Sequence, residues 1–255
     1  MSLIGYQGIK GSYSESLIID YNLGTGFSCK NFEDIFWNLK NDKITYGLIP
    51  IENNLGGSLH VNYDLLLEHK FKIIKEYNYP INHCLICNSE TNLEDIKLIR
   101  SHPQALAQCS NILKEIKIDY KEYYDTAGSV KLLKNGIAGI ASERAAKIYN
   151  MKVIKKDIQN NKFNMTRFLL ISKNDNNMNN GNKISIAVCL HNQNGILAKT
   201  LSIFSDNGID LSKIESRPNL IYRNKQNIPY QYLFYIDLIG NLNNNKIKLS
   251  LEKIK

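Results

Sequence analysis

Ile99-Arg100-Ser101-His102-Pro103-Gln104-Ala105-Leu106-Ala107-Gln108-Cys109 holds a strand, a polar junction and the start of a helix in one short stretch. Ile99–Ser101 reads as the strand. Ser101 is expected to cap the following helix, and Pro103 suits its first turn, where a backbone N–H has no intrahelical partner. The spacing predicts a helix over Pro103–Lys117. Upstream the pattern recurs. Tyr46–Ile51 is an apolar strand that leaves through Pro50-Ile51-Glu52-Asn53-Asn54-Leu55-Gly56-Gly57-Ser58 toward a helix over Leu59–His69. Leu3–Tyr6 runs into Gly5-Tyr6-Gln7-Gly8-Ile9-Lys10-Gly11-Ser12-Tyr13-Ser14-Glu15 and a helix from about Ser14 to Asn22. Phe32–Leu39, Ala127–Lys134 and Glu143–Tyr149 are predicted helices, and Ile137–Ala141 is a buried strand. Such alternation implies an α/β architecture with its ligand loops at strand ends.

Ser172–Lys183 interrupts this pattern with a single apolar residue, the composition of a flexible linker. Beyond it the order is strand Ile184–His191, helix Ile196–Asn207, strand Asp210–Ser216, strand Tyr230–Ile239 and a helix from about Asn245. That β-α-β-β-α series is the ferredoxin-like pattern without its last strand.

Composition narrows the function classes. In 255 residues, 43% are apolar and 22% charged, which supports a sizeable core. Ile, Asn and Lys number 35, 33 and 27, a chain-wide bias that robs the +8 net charge of functional weight. The lysines are scattered and no recognition motif accompanies them, so no nucleic-acid partner is expected. No apolar run approaches the roughly 20 residues of a membrane span, and the start lacks the regions of a signal peptide. Five cysteines, an odd number, fit a reducing compartment, and the expected location is the cytoplasm. His83-Cys84-Leu85-Ile86-Cys87 alternates like a strand, where positions three apart face opposite sides, so it reads as packing rather than a metal site.

Four polar segments sit where ligand loops belong. The glycine-rich loop at Gly5–Glu15 gathers backbone N–H groups, hydroxyls and a helix N-terminus, an arrangement suited to an anion. It lacks the Gly-Lys-Ser/Thr ending of a phosphate loop. Pro50–Ser58, Ser101–Gln104 and Asp125-Thr126-Ala127-Gly128-Ser129 are three further strand-to-helix junctions, and together they imply a shared cleft. Asn164-Met165-Thr166-Arg167-Phe168 precedes the apolar Leu169-Leu170-Ile171. Arginine is scarce here, with five in the chain. One at the entry of an apolar strand needs a partner, either an internal acid or a bound carboxylate.

These segments, in this order, resemble the prephenate dehydratase family over almost the whole chain. Gly8–Glu15 is similar to the family's Gly-x-x-Gly-Thr-Phe-Ser-Glu, with Ser12 and Tyr13 for Thr and Phe. Pro50–Ser58 is similar to Pro-Ile-Glu-Asn-Ser-x-x-Gly-Ser, with Asn54 for Ser. Ser101–Cys109, Asp125–Ala127 and Asn164–Phe168 match family motifs without substitution, whereas Asn160 stands where the family often has Asp. Asn194-Gly195-Ile196-Leu197 resembles the Gly-Ala-Leu turn of the family's regulatory ACT domain, and Glu215-Ser216-Arg217-Pro218 matches that domain's Glu-Ser-Arg-Pro. Tyr6–Gly8, Gly56–Ser58, Asn62–Leu67 and Asn82–Leu85 lean toward the arogenate branch without settling the substrate.

The resemblance implies a bilobal catalytic domain resembling periplasmic binding proteins over 1–172, with lobes of about 1–79 plus 158–172 and 80–157. It further implies a linker over 173–182 and an ACT domain over 183–255. The implied reaction removes carbon dioxide and water from prephenate, giving phenylpyruvate, or from arogenate, giving phenylalanine, and demands no metal or cofactor. Thr166 is implied to assist the leaving hydroxyl. Arg167 either forks a substrate carboxylate or lies beneath the site against an internal acid. Ser12, Asn53, Ser101, Thr126, Asn164 and Phe168 are implied to contact substrate, and Glu52 to orient loops or Arg167. L-phenylalanine is the implied effector, bound by Asn194–Leu197 and Glu215–Pro218 in a homodimer or dimer of dimers. The competing class is a non-catalytic amino-acid sensor, against which the Asn-x-Thr-Arg-Phe motif argues.

Overall fold

Apolar runs and capped helices alternate through the first part of the chain. The computed structural model describes residues 1–174, 181–190, 193–218 and 232–254, in two units, Met1–Asn174 and Asp175–Lys255. In order, the first unit contains β1 (Leu3–Gln7), α1 (Tyr13–Asp20), β2 (Thr25–Cys29), α2 (Phe32–Lys40), β3 (Tyr46–Asn53), β4 (Gly57–Ser58), α3 (His60–His69) and β5 (Lys72–Pro80). Then follow β6 (Cys84–Cys87), β7 (Leu98–Ser101), α4 (Pro103–Gln108), α5 (Ser110–Ile116), β8 (Asp119–Glu122), β9 (Ile137–Ala141), α6 (Glu143–Ile148), β10 (Lys152–Lys155) and β11 (Met165–Ser172).

Two sheets divide these strands. The first runs β2-β1-β3-β11-β5, with β4 also on β3; the second runs β10-β6-β9-β7-β8. Each is the centre of one lobe. The chain crosses between them twice, through residues 81–83 and 156–164. In the first lobe β3 lies between parallel β1 and antiparallel β11, and its Leu48, Ile49 and Ile51 are fully enclosed, as expected of a strand covered on both faces. In the second, Leu85 and Cys87 pack into one apolar cluster and Cys84 and Ile86 into another, on opposite faces of β6. Burial raises the pKa of both thiols.

Two predicted helices differ. Pro103–Lys117 is broken at Cys109 (φ −112°, ψ 18°). The Gln108 carbonyl there accepts from the Asn160 amide at 2.7 Å, a bond to the second crossover in place of a helical one. Ala127–Lys134 shrinks to a single 3-10 turn over Gly128–Val130, which ends where Lys131 turns extended (φ −72°, ψ 127°) and Leu132 follows at a left-handed φ of 55°.

The second unit has β12 (Lys183–Leu190), α7 (Ile196–Asp206), β13 (Leu211–Pro218), β14 (Tyr232–Ile239) and α8 (Asn245–Lys253). Among the described residues its sheet is antiparallel with order β12-β14-β13, over a core of Phe204, Ile209, Ile236, Leu238 and Ile247. Of the predicted linker, residues 175–180 lie outside the described residues, as do His191 and residues 230–231 of the predicted strands. Among the described residues no helix is long and apolar enough to cross a membrane.

Candidate active site

Five junctions converge on one cavity of about 490 Å³ in the first unit, within the roughly 300–1,000 Å³ usual for small-molecule sites. Ser12, Tyr13 and Ser14 line it from the glycine-rich loop, Lys30 and Glu33 from the start of α2, Asn53 from the end of β3, His102 and Gln104 from α4, and Asp125 and Thr126 from the loop after β8. Thr166 and Phe168 close it from β11, because alternate residues of a strand share a face.

Glycine lets the loops approach so closely. Gly11 has a φ of 88°, and a Cβ on it would lie 2.9 Å from the Ala145 backbone of the opposite lobe. A Cβ on Gly56 would fall 1.8 Å from Nε2 of Gln104, so any side chain there would displace the Gln104 carboxamide. Ser12 caps α1, its hydroxyl accepting from the Glu15 amide at 3.3 Å, while the Glu15 carboxylate accepts from the Gly11 amide at 2.6 Å.

Asn53 is the centre of the site. Its Oδ1 accepts from the amides of Leu55 and Gly56, at 3.0 and 2.8 Å, and from Nε2 of Gln108 at 3.1 Å. Its Nδ2 faces Oδ1 of Asn164 at 2.8 Å, the Met165 carbonyl at 3.0 Å and Oγ1 of Thr166 at 2.9 Å. Gln108 in turn accepts from Nδ2 of Asn164 at 2.9 Å and meets Nε2 of His83 at 2.9 Å. The two protons of that NH2 are shared among three oxygens, and because an NH2 cannot accept, Thr166 can only receive from it, which leaves the hydroxyl its own proton to donate elsewhere.

Several implied substrate contacts are corrected. Arg167 does not face the cavity. Its Nε donates to Glu76 at 2.7 Å and its NH1 to Glu52 at 3.1 Å, on the other side of β11 from Thr166. With two carboxylates already on the guanidinium, it braces the sheet, and Glu52 is its partner rather than a substrate ligand. Ser101 is fully enclosed, its hydroxyl donating to the Ile140 carbonyl at 2.6 Å, so it ties β7 to β9. The helix cap is His102, whose Nδ1 accepts from the Gln104 amide at 3.2 Å. Asn164 is 1% exposed and holds Asn53 and Gln108 instead of lining the cavity. Phe168 is 2% exposed and forms part of the floor. Ser12, Asn53, Thr126 and Thr166 do come together.

The sequence reading missed His83, Gln108, Gln104 and His102. All four stood inside stretches it had quoted, His83–Cys87 and Ser101–Cys109, but nothing local says which way they turn. Burial lowers the pKa of both histidines, in the case of His102 against the opposing pull of Asp125 and Glu122. Of the charged residues that line the cavity, Lys30 is a cation and Glu33 and Asp125 are carboxylates, and the first residues of α1 and α2 bring two helix N-termini to its wall.

In the second unit Gly195, at φ 76°, is the residue before α7, with Asn194 ahead of it and Ile196 and Leu197 in the first turn. Glu215, Ser216, Arg217 and Pro218 end β13, and Glu215 accepts from Nζ of Lys213 at 3.2 Å.

Residues 4–176 match the family described as prephenate dehydratase. Arogenate dehydratase/prephenate dehydratase 2 of Arabidopsis thaliana is 40% identical over 244 residues, covering 92% of this chain and 64% of that protein. Arogenate dehydratase 2 of Petunia hybrida is 35% identical over 267 residues, covering 99% and 68%. The chain thus spans about two thirds of the length of these curated relatives. The solved structure of prephenate dehydratase in complex with L-Phe from Arthrobacter aurescens has a TM-score of 0.88 at 26% identity, over 99% of this chain and 85% of that one. The family match runs through every segment that builds the Asn53–Thr166 cavity, and the chain belongs to the prephenate dehydratase family.

Proposed function

We propose that this chain catalyses the decarboxylating dehydration of prephenate to phenylpyruvate, a hydro-lyase step toward phenylalanine. One observation carries the reading: Asn53 donates to Thr166, so the threonine proton is aimed at the cavity. In this reaction the ring carboxylate leaves as carbon dioxide, its electron pair moves through the diene, and the C4 hydroxyl departs as the ring becomes aromatic. The driving force is the substrate's own. The protein's part is to hold the dianion, strip water from the ring carboxylate and hydrogen-bond the departing oxygen. Threonine is a poor acid, so a preorganised hydrogen bond to that oxygen is the role assigned to Thr166. Lys30 and the helix N-termini are the groups suited to the substrate's carboxylates, and Phe168 and Ile81 supply apolar wall beside the ring.

Arogenate carries an ammonium where prephenate carries a ketone. Asp125 in the cavity is a carboxylate able to face that ammonium, and the similar plant proteins are named arogenate dehydratases, which supports arogenate as the second reading. Purified protein supplied with each acid in turn, with phenylpyruvate followed by its ultraviolet absorbance and phenylalanine by chromatography, tests both. Turnover of neither acid overturns the proposal.

The second unit is assigned as an ACT regulatory domain that binds L-phenylalanine at the start of α7 between two copies of the chain. The similar Arthrobacter enzyme, solved with L-Phe, supports this. Calorimetry with phenylalanine should give heat for the unaltered protein and none for Gly195→Val; no heat from the unaltered protein removes the site. Cytoplasmic location is assigned with it, in keeping with the odd number of cysteines, five, in the chain.

A further inference from the structure

We propose that Tyr13 is a positioning residue: its hydroxyl donates to Nδ1 of His83 and so holds, through Gln108 and Asn53, the Thr166 hydroxyl in its proton-donating arrangement. The kinetic consequence rests on the dehydratase reading above; the structural one rests on hydrogen-bond directions alone.

Two backbone amides fix the directions from Asn53 to His83. Leu55 and Gly56 both donate N–H to one side-chain atom of Asn53, which must therefore be its oxygen. Gln108 approaches that oxygen at 3.1 Å, so the atom it presents is its NH2. Its carbonyl oxygen is then the atom 2.9 Å from Nε2 of His83 and 2.9 Å from Nδ2 of Asn164. An acceptor at Nε2 requires the imidazole proton there. A neutral ring protonated on Nε2 leaves Nδ1 as a bare acceptor, and the group before it, at 2.9 Å, is the Tyr13 hydroxyl. Burial lowers the imidazole pKa and raises the phenol well above its ordinary value, so both groups are neutral. The two rings meet edge-on, with centroids 5.6 Å apart.

Tyr13 also faces the Asn82 carbonyl at 2.7 Å, which offers the same proton a second acceptor. Asn82 and His83 belong to the first crossover between lobes, and Tyr13 opens α1 at the rim of the cavity. One phenol therefore links the glycine-rich loop to the crossover. Without its hydroxyl, Nδ1 of a histidine 2% exposed has lost its donor. Moving the proton from Nε2 to Nδ1 would aim an N–H where the phenol oxygen stood and set a bare Nε2 against the Gln108 carbonyl, and turning that carboxamide would set its carbonyl against the carbonyl of Asn53. The disturbance ends at Thr166.

Tyr13→Phe removes one oxygen and keeps the ring. The full chain, unaltered and as Tyr13→Phe, is to be labelled with 15N in its imidazole rings, and His83 identified among the five histidines by His83→Gln. The unaltered protein should show His83 protonated on Nε2 with Nδ1 in a hydrogen bond, and Tyr13→Phe should shift or exchange those resonances. With prephenate or arogenate as substrate, kcat should fall about five- to tenfold, the worth of one neutral hydrogen bond read as a rate, with KM changed about twofold or less. In a His83→Gln background Tyr13→Phe should cost nothing further. Unchanged His83 nitrogen resonances, an unchanged kcat, or full additivity of the two substitutions would each overturn the proposal. An unaltered protein inert toward both acids would overturn the kinetic part together with the dehydratase reading, and the nitrogen spectra would still decide the Tyr13–His83 bond.

Discussion

The Asn53 carboxamide and the Thr166 hydroxyl lie 2.9 Å apart across the pairing of β3 with β11, and Asn53 is the donor. That direction is set by the Leu55 and Gly56 amides, which hold the Asn53 oxygen on the other side. A hydroxyl that accepts on its protein side donates on its cavity side. The chemistry assigned to Thr166 follows from that one direction.

Asn53→Asp keeps the shape and reverses the bond. Thr166 would turn its proton to the carboxylate, and an anion would face a dianionic substrate. The expected loss in kcat is about 100-fold, the lower end for removal of a preorganised donor. Because a protonated aspartic acid can again donate, kcat should recover in part as pH falls. A pH–rate profile between about pH 5 and 8 checks this, and a flat profile would remove the direction argument.

Arg167→Lys should lower stability more than it lowers turnover. A single ammonium cannot serve both Glu52 and Glu76, and the carboxylate left behind is only partly exposed. The expected cost is about 1–2 kcal/mol, below the usual figure for a buried pair because both acids keep some water. The unfolding midpoint in urea measures it. Abolished turnover with an unchanged midpoint would return Arg167 to the substrate.

How much of this could be read from the chain differs between elements. β3 is an apolar run that leaves through a polar motif and β11 one that is entered through another, which periodicity reveals, whereas their place in one lobe is what the family resemblance implied. Directions were another matter. Arg167 finds Glu76 at a separation of 91 residues, through a β11–β5 register that no local pattern encodes. Ser101 looks like a helix cap in sequence, yet the β7–β9 pairing turns its hydroxyl onto Ile140. Gln108 meets Asn53 only because two lobes close on each other. The break at Cys109 depends on Asn160 from the second crossover, and it too is set by tertiary contact.

Acid should destabilise the first unit through its buried histidines. His83 and His102 have pKa values lowered from 6.5 by burial, so below about pH 6.5 the unfolded chain binds protons that the folded one refuses. Stability is then lost as pH falls from about 6.5 toward the lower folded values, and neither histidine contributes such a slope above that range. Melting curves from about pH 8 to 5 should show the decline, and His83→Gln should flatten it. An unchanged slope in that variant would mean that His83 is not held neutral.

The most direct test of the whole account is the turnover of Thr166→Ala beside the unaltered protein, with substrate affinity measured separately. With the better of the two acids, kcat should fall about 100- to 1,000-fold while affinity changes little, because the lost bond is made chiefly in the transition state. Thr166→Ser, which keeps the hydroxyl, should retain most of the rate. Near-normal turnover by Thr166→Ala would contradict the account at its centre.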